Sequence, residues 1–293
     1  MTGNYLFIHY GYGGEDLSPS LTLFKEGADS FEHITPRGHQ LTLTFDTSAR
    51  LCTGWHDLAT GESHPCPDAA IVDTTYSQCM HCQRKTGFNP AFYNAASVSE
   101  QQLARNATPH FLYLAHFAPG VVKVGISWTG RGIRRLLDQG ARSCLIIKDY
   151  PNANVARQYE AKVAALDGIA ETLQLKTKYA LLARPYDAAA GAQELLSVRD
   201  RLVRDVGMSI DDAQPQHLEQ FYIADNSFVP HQLVHLKEGA ISGRSLGMIG
   251  SSYLAEQDGT PYFLSLANLT GYRVAITDQL QPNEHAPQQI SLF

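Results

Sequence analysis

Four cysteines in one segment, Cys52, Cys66, Cys79 and Cys82, carry the strongest chemical signal in the chain. Cys79-Met80-His81-Cys82 is a knuckle whose two-residue gap lets both sulfurs face one metal. Structural zinc is closed by four such ligands in a tetrahedron, with Zn–S near ~2.3 Å. The remaining gaps, 13 and 12 residues, fall within the span of ribbon-like sites, and His64 or His81 can stand in for one thiolate. A redox Cys-x-x-Cys pair and unligated buried thiols are the competing readings. Redox is disfavoured because no thioredoxin-like strand–helix pattern surrounds the pair. Cys144, inside an apolar strand pattern, reads as an inert core thiol.

A second set lies in the middle of the chain. Tyr113 and Lys123-Val124-Gly125 fall on two apolar segments, Arg131, Arg134 and Arg135 on a helix pattern, and Glu160 on the next helix pattern. Phosphodiester hydrolysis needs a base or metal-bound water, a cation on the developing phosphorane charge and a carboxylate to hold the divalent metal. Tyr113, Arg135 and Glu160 supply those roles if the fold brings them together. Read singly, each is better taken as structural: Tyr113 as a core aromatic, Arg135 and Glu160 as solvated helix charges.

Charge is unevenly spread around a net −6. Residues 1–107 hold six basic and eleven acidic residues, residues 108–180 ten and five, and residues 181–293 seven and thirteen. A basic block therefore lies between acidic flanks, and only local charge matters at a phosphate contact. Within it Lys123, Arg131, Arg134 and Arg142 are the candidate nucleic-acid contacts. Hydrophobic residues make up 44% and charged ones 18%, which argues against wholesale disorder. No apolar run reaches the roughly 18 residues of a membrane span. No basic stretch precedes the short apolar patch at Tyr5–Ile8, so no secretory signal is expected. Clustered cysteines suit a reducing cytoplasm.

Several elements must position these residues. Gln40–Phe45 alternates as a half-buried strand, and Gly11–Gly14 reads as a turn rather than a phosphate loop. Phe111–Phe117 and Val121–Ser127 form a hairpin through Ala118-Pro119-Gly120. Gly130–Gln139 has helical spacing and a stop at Gly140, Cys144–Tyr150 is a third strand, and Asn154–Leu166 is a helix. Further helix is expected over Ala188–Val206, and strands over Gly247–Ala255 and Pro261–Ile276.

The order strand, strand, helix, strand, helix resembles the core of the GIY-YIG nuclease superfamily. Tyr113 in Phe111-Leu112-Tyr113 matches the first motif, and Val124-Gly125 the second, where Lys123 replaces the tyrosine. The family's helix arginine aligns with Arg135, with Arg134 as alternate, and its metal-binding glutamate with Glu160. The wider layout, a cysteine cluster followed by Lys-Val-Gly-Ile-Ser, looks like a bacterial family of such proteins. The resemblance implies a Mg2+- or Mn2+-dependent endonuclease in which Glu160 holds the metal, Arg135 stabilises phosphate charge and Tyr113 orients or deprotonates the nucleophile. The tail Gln289-Ile290-Ser291-Leu292-Phe293 resembles the bacterial sliding-clamp-binding pentapeptide. In it Leu292 and Phe293 enter an apolar pocket and Gln289 fixes orientation.

These readings predict an α+β protein. Residues 1–107 form a β-rich, zinc-stapled region, 108–187 a GIY-YIG-like three-stranded antiparallel sheet with helices, 188–280 a mixed region, and 281–293 a flexible tail. The expected function is DNA processing in repair or replication, with DNA and the clamp as partners and no membrane. A non-catalytic zinc-containing nucleic-acid-binding module and a scaffold indifferent to DNA are the alternatives.

Overall fold

The structure is a computed structural model and describes every residue except 1, 26, 29, 59, 61, 74–75, 88–97, 211, 224–231, 238 and 284–293. The fold is α+β. Its first four strands are β1 (Gly3–Gly13), β2 (Ser18–Phe24), β3 (Phe31–Ile34) and β4 (Gln40–Asp46). A short hairpin, β5 (Trp55–His56) and β6 (Ser63–His64), leads to α1 (Met80–Thr86) and α2 (Glu100–Asn106). The centre runs β7 (His110–Ala118), β8 (Val121–Trp128), α3 (Arg134–Gln139), β9 (Ser143–Tyr150), α4 (Ala153–Ala164), β10 (Ile169–Ala170), α5 (Leu175–Leu182), α6 (Ala188–Val206) and β11 (Gln216–His217). The chain closes with β12 (Val234–Leu236), β13 (Ala240–Ile249), β14 (Ser252–Gln257), β15 (Thr260–Ser265) and β16 (Arg273–Thr277).

The central sheet has the order β10-β8-β7-β9-β11. Strands β8, β7 and β9 pair antiparallel as the sequence predicts, and the short edges β10 and β11 extend three strands to five. Strand β7 is buried along its whole length, which explains its unbroken apolar run. Its alternate side chains enter two cores. Leu112 and Leu114 pack with α4 and α6 residues such as Ala156, Val163, Leu195 and Leu202. Phe111, Tyr113, Ala115 and Phe117 join a core that also holds Leu136 and Leu137 of α3, Leu181 and Leu182 of α5, and the inner face of the larger sheet.

That larger sheet has nine strands in the order β12-β15-β14-β13-β4-β16-β1-β2-β3. Strand β16 sits between β4 and β1, pairing Tyr5 with Val274 and Phe45 with Val274 on its other edge. Strands from the region read as 1–107 and from 234–277 thus share one sheet, and the central segment is an excursion from it that also takes in α6 and β11 from the region read as 188–280. Smaller differences have local causes. Gly11 and Gly13 lie within β1 opposite Ser20 and Ser18, so the turn begins only at Gly14. The helix expected from Gly130 is confined to Arg134–Gln139, because Gly132 adopts φ 52°, outside the helical region, after a short 3-10 turn. Gly247–Ala255 spans a hairpin rather than one strand.

The C-terminal end of α3 and the β13–β14 turn meet backbone to backbone. Gly140 caps α3 with φ 77°, and a Cβ on Gly250 would lie 2.9 Å from the Gly140 amide nitrogen. Among the described residues no helix is long and apolar enough to cross a membrane.

Candidate metal centre and cationic site

The cysteines converge. The four Sγ atoms of Cys52, Cys66, Cys79 and Cys82 lie within 4.8 Å of one another, with Cys66 and Cys79 4.0 Å apart. A tetrahedral zinc with Zn–S near ~2.3 Å requires an edge of about 3.8 Å. The four cysteines are placed to hold a metal ion such as zinc. Local structure explains the gathering. Cys79 is the N-cap of α1, which sets Cys82 in the first turn, and the Cys79 amide donates to Cys52 Sγ at 3.1 Å. Cys52 is tied to Ala70 by its own amide, beside the Leu51–Ile71 bridge. Burial pushes the Cys52 thiol up to about 11 and the Cys82 thiol upward as well. Both histidines that could replace a ligand are otherwise engaged: His64 stacks on Trp55 at 4.0 Å, and His81 faces Asp68 at 3.4 Å.

Tyr113, Lys123, Arg135 and Glu160 are buried or half-buried. Tyr113 stands directly opposite Gly125 across the β7–β8 ladder. A Cβ on Gly125 would lie 2.3 Å from the tyrosine hydroxyl, so this glycine makes room for the Tyr113 ring rather than for a ligand. Tyr113 is fully buried, and its hydroxyl accepts from Gln139 Nε2 at 2.6 Å. The Tyr113 hydroxyl thereby holds the last residue of α3.

Lys123, two residues before Gly125 on the same face, is 9% exposed. Its Nζ donates to the Val124 carbonyl at 3.0 Å and lies 5.8 Å from the Tyr113 ring centre. Burial holds Lys123 down at about 8, the Arg135 charge acts in the same direction, and Glu160 and Glu171 oppose it. Arg135 is half-buried, and among the described residues its guanidinium has no hydrogen-bond or ion-pair partner. Glu160 is buried on α4 against Arg157, which also reaches Glu171 at 2.9 Å. Tyr113 and Lys123 thus share the sheet face that α3 covers with Arg135, while Glu160 acts on the Lys123 charge from α4, which packs on the opposite face.

The other cations divide. Arg134 is exposed, donating to the Gly14 carbonyl at 3.2 Å, and Arg131 pairs with Asp138 at 2.6 Å. Arg142 does not serve as a surface phosphate contact: it is 5% exposed, paired with Glu219 and stacked over Tyr186 at 4.7 Å. A buried cation needs a fixed counter-charge, and Glu219 provides it.

Lys178 and Gln139 enter the site from outside the motifs. Lys178 Nζ donates to the Gln139 carbonyl at 2.8 Å and lies 5.3 Å from the Phe117 ring centre. Burial brings it down to about 8, with Lys123 and Arg135 adding to the effect. Only helical spacing near Leu175 could have hinted at the element that carries it. His116, also missed, is buried between the Tyr186 hydroxyl and Glu194, each at 3.0 Å, and Glu194 further accepts from the Gly120 amide in the hairpin turn.

Residues 92–274 match the family model DUF2797, described as protein of unknown function. The chain belongs to the DUF2797 family. No curated protein and no solved structure matches it. The DUF2797 segment runs from before α2 into β16, so it holds Tyr113, Lys123, Arg135, Glu160 and Lys178, whereas all four clustered cysteines precede it.

Proposed function

We propose that this DUF2797 protein processes DNA, and that its central sheet binds and hydrolyses a phosphodiester. The observation that carries the reading is that Lys123, buried beside Tyr113, feels the charges of both Arg135 and Glu160, the residues that the GIY-YIG resemblance selects. Arg135, with no side-chain partner among the described residues, can stabilise charge on phosphate oxygens. Lys123 stands where the superfamily has its second tyrosine and presents an ammonium to the same oxygens. Tyr113 fixes Gln139 and hence the helix that carries Arg135.

Magnesium is bound through one or two carboxylates together with substrate phosphates. Glu160 and Glu171, both reached by Arg157, fit that donor set. Mg2+ or Mn2+ bound there would supply Lewis acidity and an activated water. The Glu160–Arg157 pair also favours a second reading, a non-catalytic nucleic-acid-binding module, because the arginine already neutralises the carboxylate. Zinc held by the four thiolates would act structurally in either case.

Incubation with branched, nicked and linear DNA plus magnesium or manganese separates the readings. Cleavage by wild type that Glu160→Gln reduces by at least about 100-fold is expected of a metal-holding carboxylate. Cleavage that survives the substitution overturns the site, and binding without cleavage on any substrate supports the module. The clamp-binding-like residues Gln289, Leu292 and Phe293 lie outside the described residues. Their resemblance supports recruitment of the protein to DNA by the sliding clamp.

A further inference from the structure

Lys123 and Lys178 stand over neighbouring rings on the face of β7 and β8 that looks towards α3 and α5, Arg135 lies on α3, and among the described residues none of the three has an ion-pair partner. Lys123 faces Ala115 across the ladder, between Tyr113 and Phe117 on that side of β7. Lys178 reaches in from α5 over the Phe117 ring, and Arg135 from α3. Gln139 links them, since its side chain holds Tyr113 and its carbonyl holds Lys178.

The donors exceed the acceptors. An ammonium has three N–H groups and a guanidinium five. Lys123 and Lys178 each make one hydrogen bond, both to backbone carbonyls, and Arg135 makes none among the described residues. Nearby carboxylates are committed elsewhere: Glu160 and Glu171 to Arg157, and Asp138 to Arg131. Buried and half-buried cations with spare donors and no direct ion-pair partner among the described residues are a site for an anion, and several donors favour a multi-oxygen anion.

We infer that Lys123, Arg135 and Lys178 form one binding site for a phosphate-class anion, in which Lys178 is a substrate-contacting residue supplied by α5. The inference rests on the phosphodiester-binding reading of the same site and adds a third cation to it. The shared chemistry is a tetrahedral oxyanion, whether free phosphate or the backbone of DNA.

Inorganic phosphate titrated into the full-length protein at constant ionic strength, with chloride as reference, tests the site directly. Side-chain NMR of isotopically labelled lysine and arginine should show Lys123, Arg135 and Lys178 responding together with one apparent Kd. Lys178→Met should weaken phosphate binding by about tenfold, or ~1.4 kcal/mol, while Lys178→Arg restores most of it. The same factor should appear in the affinity for a duplex oligonucleotide measured in EDTA. A Lys178 signal that stays fixed while Lys123 moves overturns the inference, and this wild-type titration decides the matter even if Lys178→Met fails to fold. DNA cleavage with a silent Lys178 removes the anion site alone. Phosphate binding without any DNA affinity keeps the site and removes the DNA reading.

Discussion

Lys123 and Lys178 carry a cost that pH exposes. Both are held at about 8, chiefly by burial and then by neighbouring cations, Arg135 for Lys123 and both Lys123 and Arg135 for Lys178. The partial relief that Glu160 and Glu171 give Lys123 is itself reduced by Arg157. An unfolded lysine titrates near 10.4. Between about 8 and 10.4 the unfolded chain therefore holds more protons, so these groups make stability rise with pH. Their cost is fully present below about 8 and is gone above about 10.4. Lys178→Met removes one such group, so its unfolding midpoint should gain on wild type at pH 7 and lose most of that advantage by pH 10. A stability difference that does not vary with pH would show that Lys178 is not so perturbed. At the cysteine cluster the test is elemental. Cys79→Ser removes a ligand while leaving a residue suited to N-cap the helix that presents Cys82, so the loss it reports is that of the metal. It should release the metal and lower stability by about 4 kcal/mol or more, since loss of a structural metal belongs to the largest single-site effects. Wild type purified reduced and free of zinc would sink the metal assignment.

Elements show why some of this was legible in the sequence and some was not. The hairpin at Pro119-Gly120 and the helix capped by Asn152, whose side chain accepts from the Val155 amide at 2.9 Å, carry their signals locally. Cysteine spacing did the same for the metal centre. The nine-stranded sheet did not, because β1 and β16 pair residues some 270 positions apart, such as Gly3 with Ile276, and no local pattern encodes that register. Nor does a sequence tell a buried arginine from a solvated one. Arg142 is internal because Glu219, far along the chain, comes to meet it. Lys178 was invisible for the same reason. The junction of α3 with the β13–β14 turn offers a test at this scale. Gly250 has φ 58°, and its missing Cβ leaves room for the backbone of Gly140. Gly250→Ala should cost about 1–3 kcal/mol by forcing the two elements apart. Because α3 carries Arg135, cleavage should fall with it. Unchanged denaturant unfolding would mean that the junction is not tight.

For the molecule as a whole, charge limits how well it can hold DNA unaided. Of the four cations selected as nucleic-acid contacts, Arg142 is buried against Glu219 and Arg131 is already paired, which leaves Arg134 at the surface and Lys123 within the proposed anion site. The chain around them is acidic, with net −6. Affinity that comes from phosphate neutralisation scales with the number of cations in contact, so few contacts mean weak binding and a shallow dependence on salt. A second attachment changes the arithmetic. The tail expected to be flexible from Gln281 is pinned at its start, where Gln281 and Asn283 hydrogen-bond to Ser242 and Gln257. The sequence that follows, Glu-His-Ala-Pro-Gln, is polar and leads to Gln289-Ile290-Ser291-Leu292-Phe293. A clamp encircling DNA and gripping that pentapeptide would keep the cationic site near its substrate at a millimolar effective concentration without any new contact to DNA. A chain lacking residues 289–293 should therefore bind clamp at least about tenfold more weakly, a loss of ~1.4 kcal/mol. It should cut clamp-free DNA as wild type does, and lose only the stimulation that loaded clamp provides. Equal clamp affinity for the two chains would end the recruitment proposal. The metal centre and the cationic site would stand, because neither draws on the tail.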